Sequence, residues 1–458
     1  MKLRNDFPTI VLPIETLTRE LDSKLVIACA LASQGCRVVV GHKEAMKTLA
    51  SSSEHIVWQG KAIFSAGSSE HLADRLISQG SAIMFIHDEG GMHQVRTWSY
   101  HVLKTHRVEH LKKRRVNRVC VWGEKQKEVL TNYATELQDA IKVTGTPKFD
   151  LCSPTYSWVT KNKNEEKGAN YSPYILVCTR FSTAAHSQGQ EDTFRRKLNR
   201  ALWPASLSTD EIADLWFSKW QRDVHDFADF IILTKAIARS YPHYTVVLRP
   251  HPSENLTFYK CAFASFKNII VTREDSVIPW IRSAEVVVHS NCTTGIEAVL
   301  AGRPVLNFLP EALGREELDV EVAREAGLRA VSISDALEKL SLLLSGQAPQ
   351  HFWSSRAQTV LNNLNQTALP ILVRETRAVL EETGINASKV STPTATQVFR
   401  NRVRPLVKPW TRGSYAASKR GPFNPSEVEI LIEGCAINGA GRGRISALTR
   451  EYVVVDPV

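Results

Sequence analysis

Val246-Val247-Leu248-Arg249-Pro250-His251-Pro252-Ser253-Glu254 and Val286-Val287-Val288-His289-Ser290-Asn291-Cys292-Thr293-Thr294-Gly295-Ile296-Glu297-Ala298 decide the fold. Each begins as an apolar, β-branched run of the kind found in a strand covered on both faces. Each then ends in polar residues that lead into a helix. In an open α/β sheet, ligands bind beyond the carboxyl ends of the strands. One of these ends carries Arg249 and His251, and the other carries a row of hydroxyl and amide side chains. Together they read as a phosphate site.

The same alternation extends in both directions. Thr9–Ile14, Cys36–Val40, Ala82–Ile86, Val116–Trp122 and Ile141–Val143 read as strands, with a helical pattern over Leu17–Ser33 ended by Gly35. Residues 151–172 are polar and break the rhythm. Tyr174–Cys178 resumes it, a polar insertion with Trp203, Trp216 and Trp220 follows, and Asp226–Ser240 reads as a helix. Pro304–Phe308 is a further strand, and Leu369–Glu381 a further helix. The expected class is α/β, with two Rossmann-like doubly wound parallel-sheet domains across a cleft. The expected boundaries are 1–150 for the first domain, 151–172 for a linker, 173–383 for the second domain and 384–458 for a basic, partly irregular tail. Within that tail Val428–Ile432 and Tyr452–Val455 are strand-like runs.

Composition narrows the class. A chain of 458 residues exceeds one ordinary core, and 43% hydrophobic with 23% charged residues is globular. No apolar run reaches the ~18 residues of a membrane span. Met1–Asp6 is charged and leads straight into a strand, so no secretory signal is read there. The eight cysteines form no CxxC pair and no zinc spacing, which points to free thiols in a reducing cytoplasm. The net charge of +10 is uneven. Arg400, Arg402, Arg404, Lys408, Arg412, Lys419 and Arg420 have no acid among them, and Lys112, Lys113, Arg114, Arg115 and Arg118 form a second cluster. Such patches suit an anionic membrane face or an acidic glycan, or are plain solvated surface. No recognisable nucleic-acid module accompanies them, so no nucleic-acid partner is expected.

At the first strand end, Pro250 and Pro252 remove backbone donors, so binding falls to the Arg249 and His251 side chains. A rigid turn with a structural histidine is the plainer reading. At the second, Ser290, Asn291, Thr293 and Thr294 surround a helix N-terminus, whose free N–H groups favour an anion without a metal. Thr294 to Glu297 fits a capping box, and Glu297 has a second reading as an acceptor for ribose hydroxyls. In the first half His87-Asp88-Glu89-Gly90-Gly91 lies at a strand end, and Glu89 is the candidate general base. Gly145-Thr146-Pro147-Lys148-Phe149-Asp150 offers Asp150 as a second catalytic carboxylate or as the first linker residue. No GxGxxG, Walker A, GxSxG or carboxylate-rich metal motif is present, so no cofactor and no metal are expected.

These residues resemble a family. The Arg249-Pro250-His251-Pro252 turn, the Ser/Thr-rich strand end and Gly295-Ile296-Glu297-Ala298-Val299-Leu300-Ala301-Gly302-Arg303-Pro304-Val305 are similar to glycosyltransferases of the GT-B fold, nearest to bacterial surface-carbohydrate and capsule biosynthesis proteins. Pro13-Ile14-Glu15-Thr16, Gly41-His42-Lys43, Asp88–Gly91 and Gly145–Asp150 are similar to that group as well, over roughly residues 8–345. Related enzymes that use CMP-activated sugars, such as Kdo transferases, set an HP motif and a Ser/Thr motif on the nucleotide. The resemblance therefore implies that His251 and Pro252 meet the nucleotide, that Ser290, Thr293 and Thr294 meet its phosphate, and that Glu89 or Asp150 is catalytic. Thr146 and Lys148 stand where Asn and Arg are expected, a departure that bears on Asp150.

The expected function is a metal-independent glycosyltransferase. Its donor is a nucleotide sugar, cytidine-linked by the resemblance, and its acceptor is a glycan or lipid-linked sugar at the cytoplasmic membrane face. The basic tail would touch that membrane. The alternatives are a CDP-polyol phosphotransferase, a UDP-sugar 2-epimerase-like enzyme or a non-catalytic scaffold.

Overall fold

The computed structural model describes residues 6–61, 63, 68–87, 92–114, 116–160, 170–199, 208–274, 276–310, 315–391 and 421–458. Asp88 to Gly91, Trp203 and the basic run 400–420 lie outside the described residues.

Two sheets organise the chain. The first holds β1 (Thr9–Ile14), β2 (Arg37–His42), β3 (Ile56–Gln59), β4 (Ala82–Ile86), β5 (Arg118–Val121) and β6 (Ile141–Val143). The second holds β7 (Tyr174–Cys178), β8 (Thr245–Arg249), β9 (Ile269–Val271), β10 (Val286–His289), β11 (Val305–Phe308) and β12 (Leu328–Ala330). All pairs within these twelve strands are parallel. The second sheet runs β12-β11-β10-β7-β8-β9, the Rossmann order, with its direction reversing between β7 and β10. The first runs β2-β1-β3-β4-β5-β6 through its parallel part and reverses between β1 and β3. This is the two-domain GT-B arrangement. Both faces of each sheet are covered: in β1, Val11 faces one apolar cluster while Ile10 and Leu12 face the other.

The tail departs from expectation. Residues 444–456 form a hairpin of β13 (Arg444–Leu448) and β14 (Tyr452–Asp456), and β14 pairs antiparallel with β2. The expected strand at Val428–Ile432 is instead part of helix Pro425–Ile437, which packs on helix Leu17–Ala32. Val428, Leu431, Ile432 and Cys435 are buried there, a helical spacing that a five-residue window reads as a strand. Arg37 and Asp456 form a buried ion pair at 2.6 Å. Gly41 is needed for this junction, because a Cβ would stand 2.6 Å from Met46 and from Tyr452.

Helix Ala368–Thr383, expected with the second domain, lies on the first. Leu369, Leu372 and Val379 share an apolar cluster with Ile14 and Leu25, and Glu375 pairs with Arg118 at 3.1 Å. The polar insertion holds helix Gly189–Lys197 and the 32-residue helix Thr209–Ser240. The latter starts well before Asp226, at a capping box of Ser208 with Glu211.

Candidate functional site

The strands β7, β8 and β10 end side by side at the point where the second sheet reverses. Thr179 and Arg180 follow β7. Arg180 Nε donates to the Ser290 carbonyl at 2.6 Å, which fixes the loop after β10. The other guanidinium nitrogens reach Asp223 at 2.7 Å and Asp226 at 2.9 Å, both on helix Thr209–Ser240. Asp223 also takes Lys219 at 2.7 Å and Arg222 at 2.7 Å. Burial opposes its charge, but Lys219, Arg180 and Arg222 outweigh that and hold its carboxyl well below the usual range. Burial pulls Lys219 down to about 8. Arg222 continues the network to Asp319 at 3.2 Å.

The loop after β10 is tightly built. Asn291 has φ of 43°, and its amide both donates to the Val320 carbonyl (3.0 Å) and accepts from the Val320 N–H (2.7 Å). It is therefore a staple for the loop. The Cys292 N–H donates to His289 Nδ1, and His289 Nε2 lies 2.8 Å from the Ala326 carbonyl. Burial pushes His289 down to about 4, so its ring is neutral. Gly295 lets this ring pack: a Cβ there would sit 2.2 Å from it. Thr293 and Thr294 open helix Thr293–Leu300 and are half-buried. The Ser290 hydroxyl is buried and has no hydrogen-bond partner among the described residues.

Across the reversal point, His251 is half-buried. Its backbone N–H donates to Thr179 Oγ1 at 3.3 Å. The Ser253 N–H donates to His251 Nδ1 at 3.3 Å, and Ser253 Oγ lies 2.7 Å from the same nitrogen. A ring whose Nδ1 accepts carries its proton on Nε2, the donor an anion needs. Pro252 is exposed, and its carbonyl accepts from Arg273 at 3.0 Å. Arg249 stands 5.1 Å from the centre of the Trp280 ring. Cys178 and Trp280 belong to one apolar cluster.

Glu254 supports the turn from beneath. It is fully buried and accepts from Thr179 Oγ1 at 2.6 Å and from the Tyr259 hydroxyl. Burial pushes its carboxyl up to about 7. A raised carboxyl favours the fold while protonated, so its contribution is full below about 4.5 and is lost as pH rises through 7. The Glu254→Gln protein, which mimics the protonated acid, is expected to exceed the parent in unfolding free energy by about 3 kcal/mol at pH 8. That gap should shrink to about 1 kcal/mol or less at pH 5, as read by urea unfolding at both pH values.

Two expectations meet across the cleft in a new way. Lys148, from the first domain, pairs with Glu297 of the second at 3.1 Å. Glu297 is thus not a cap: the helix N-cap is Cys292, and Glu297 lies inside the helix. Lys125–Glu321 at 2.6 Å, the Val95 N–H to the Asp319 carbonyl, and Arg282 to the Leu151 carbonyl at 2.7 Å bridge the domains as well. Asp150 is buried beneath this seam. Its carboxylate accepts from the Ala368 and Leu369 N–H groups at 2.9 and 2.7 Å and from Asn363 at 2.7 Å. Burial pushes it up to about 6, against the pull of those amides. It holds the start of helix Ala368–Thr383 instead of facing the cleft. Glu89 lies outside the described residues.

Sequence reasoning missed Thr179, Arg180, Asp223 and His289. Arg180 is the second residue after β7, so the strand-end logic applied to Arg249 reaches it too. Asp223 lies in the polar insertion of the sequence, whose residues 209–225 are the first half of helix Thr209–Ser240. Among the described residues no cluster of His, Cys, Asp and Glu suits a metal ion, and no helix is long and apolar enough to cross a membrane.

No protein-family model matches the chain, and no curated protein matches it. Solved structures do. UDP-GlcNAc 2-epimerase of Methanocaldococcus jannaschii, in complex with UDP-GlcNAc and UDP, is similar at 13% identity, with 81% of this chain and 99% of that one covered and a TM-score of 0.45. The Neisseria meningitidis UDP-GlcNAc 2-epimerase bound to UDP-GlcNAc is 13% identical over 81% of this chain and 100% of that one, with a TM-score of 0.47. The Rickettsia bellii UDP-N-acetylglucosamine 2-epimerase is 11% identical over 82% and 98%, with a TM-score of 0.44. At this level of likeness the architecture rests on the strand order given above and not on the matches.

Proposed function

We propose that the chain is a nucleotide-sugar enzyme. The phosphates of the nucleotide lie over the start of helix Thr293–Leu300, met by Ser290, Thr293 and Thr294, with His251 Nε2 donating from the other side of the reversal point. The observation that carries this reading is the buried Ser290 hydroxyl, which has no hydrogen-bond partner among the described residues and follows β10 at the reversal of a doubly wound sheet. Burying a hydroxyl without a hydrogen bond is costly, and a phosphate oxygen relieves that cost.

The reaction we propose is transfer of the sugar to an acceptor. Breaking the bond between the anomeric carbon and phosphate loads charge on the leaving phosphate, where a helix N-terminus and an imidazole N–H stabilise it. A carboxylate is needed on the first-domain side, and Glu89 is the residue proposed for it. The second reading is 2-epimerisation of a nucleotide sugar, which the bridged cleft favours, because a reaction with one substrate needs no second entrance. The alternatives of polyol-phosphate transfer and of a scaffold have no observation in their favour.

Thermal-shift measurements with CMP, CDP, UDP and GDP test the site, since a ligand that binds the folded state at 100 times its Kd stabilises it by about 2.7 kcal/mol. One of the four should raise Tm, and His251→Ala should lose most of that shift while keeping its own Tm. No shift with any nucleotide, or a full shift in the His251→Ala protein, overturns the site. Incubating the enzyme with the nucleotide sugar and no acceptor then separates the reactions: turnover alone means epimerisation.

A further inference from the structure

β7 lies between β8 and β10, so the two residues after it sit between both halves of the strand-end site. Arg180 holds the β10 side through the Ser290 carbonyl. Thr179 holds the β8 side. Its N–H donates to the Arg249 carbonyl at 3.3 Å, and its hydroxyl oxygen accepts from the His251 N–H at 3.3 Å. The same hydroxyl donates to Glu254 at 2.6 Å. A threonine hydroxyl has one proton and two lone pairs. Glu254 takes the proton, which leaves a lone pair for His251. The His251 carbonyl in turn accepts from the Glu254 N–H at 2.8 Å. Thr179, His251 and Glu254 are therefore joined by three hydrogen bonds in a closed ring. The flanking chain is pinned as well: the Asn255 N–H donates to the Ala185 carbonyl at 2.8 Å, and the Ser187 N–H to the Ser253 carbonyl at 2.9 Å. Thr179 and Glu254 are buried, where losing a hydrogen bond costs more than at the surface.

We propose that Thr179 is a positioning residue for His251. Its hydroxyl fixes where the His251 backbone stands, and so where the ring presents Nε2. Nδ1 meets Ser253 only while the backbone is held in this turn. Valine has the shape of threonine without the hydroxyl, and serine keeps the hydroxyl without the methyl. Tyr259 supplies the control. Its hydroxyl donates to the same Glu254 oxygen, so Tyr259→Phe weakens the support of that carboxylate and leaves the Thr179–His251 bond in place. The effect on a nucleotide rests on the reading of His251 as a phosphate donor; the effect on the ring does not.

Two measurements on the full chain test it, made on Thr179→Val, Thr179→Ser and Tyr259→Phe, with Tm confirming that each is folded. Thr179→Ala takes the place of the valine protein if the latter lacks a cooperative unfolding transition. The first is calorimetric titration with CMP, CDP, UDP and GDP. Thr179→Val is expected to weaken whichever nucleotide binds the parent by about fivefold or more, and the other two variants by about twofold or less. The second is nitrogen NMR of the His251 ring, assigned by its loss in His251→Ala. The parent is expected to carry its proton on Nε2, and Thr179→Val to mix the two tautomers, while Tyr259→Phe keeps the parent signals. Unchanged ring signals in Thr179→Val, or an equal change in Tyr259→Phe, overturn the proposal. Mixed tautomers with unchanged nucleotide affinity support the positioning role and count against His251 as a phosphate donor. If none of the four nucleotides binds the parent, the nucleotide reading fails, and the ring signals decide the role of Thr179 by the same criterion.

Discussion

Replacing Asp223 with alanine is expected to cost the fold about 3–5 kcal/mol, read as a fall in the urea midpoint. Asp223 is completely buried and is the common partner of Arg180, Lys219 and Arg222. Its removal leaves three cations facing one another with Asp226 and Asp319 as their remaining acids. The cost is that of stranding buried charge, which exceeds what the ion pairs contribute on their own. Lys219→Met should be mild by comparison, since Asp223 then keeps both arginines. The same substitution at Asp223 loosens Arg180, which holds the Ser290 carbonyl, so nucleotide binding should weaken in whatever folded protein remains. An unchanged midpoint would show the network to be idle.

Asp150→Ala is expected to cost about 2–3 kcal/mol, because two helix N–H groups and the Asn363 amide lose a charged acceptor at once. Asp150→Asn should recover about half of that. The sharper measurement is turnover. A positioned acid or base supplies about 10²–10⁴ in rate, whereas a helix tether acting only through stability leaves the folded Asp150→Asn enzyme within about tenfold of the parent. A loss of about 10³ or more would restore the catalytic role that the sequence pattern suggests for this residue.

The parallel strands were legible because both of their faces are buried, which leaves continuous apolar runs such as Thr9–Ile14 and Tyr174–Cys178. β9 is three residues long and lies between Lys267-Asn268 and Thr272-Arg273, so its run does not stand out. The strand-end motif at 290–294 was legible as an anion site by residue type. Sequence spacing alone does not separate a candidate binding side chain from a staple: Ser290 keeps a hydroxyl without a partner among the described residues, while Asn291 spends its amide on Val320. The pairing of Glu297 with Lys148 lies between domains, where no local pattern reports it. The same holds for Asp150, whose partners are more than 200 positions away in the chain.

The β2–β14 pairing sets the order in which the protein comes into being on the ribosome. Every strand of the second sheet lies between residues 174 and 330, so that sheet can close while the chain is still being made. The first sheet is complete only once residues 452–456 cover the edge of β2. At ~5–20 residues per second the wait is on the order of 20–80 s. Over that interval the nascent chain carries an open strand edge and the uncovered side of helix Leu17–Ala32, the surfaces that chaperones recognise and that aggregation exploits. The domain synthesised first is therefore the one completed last.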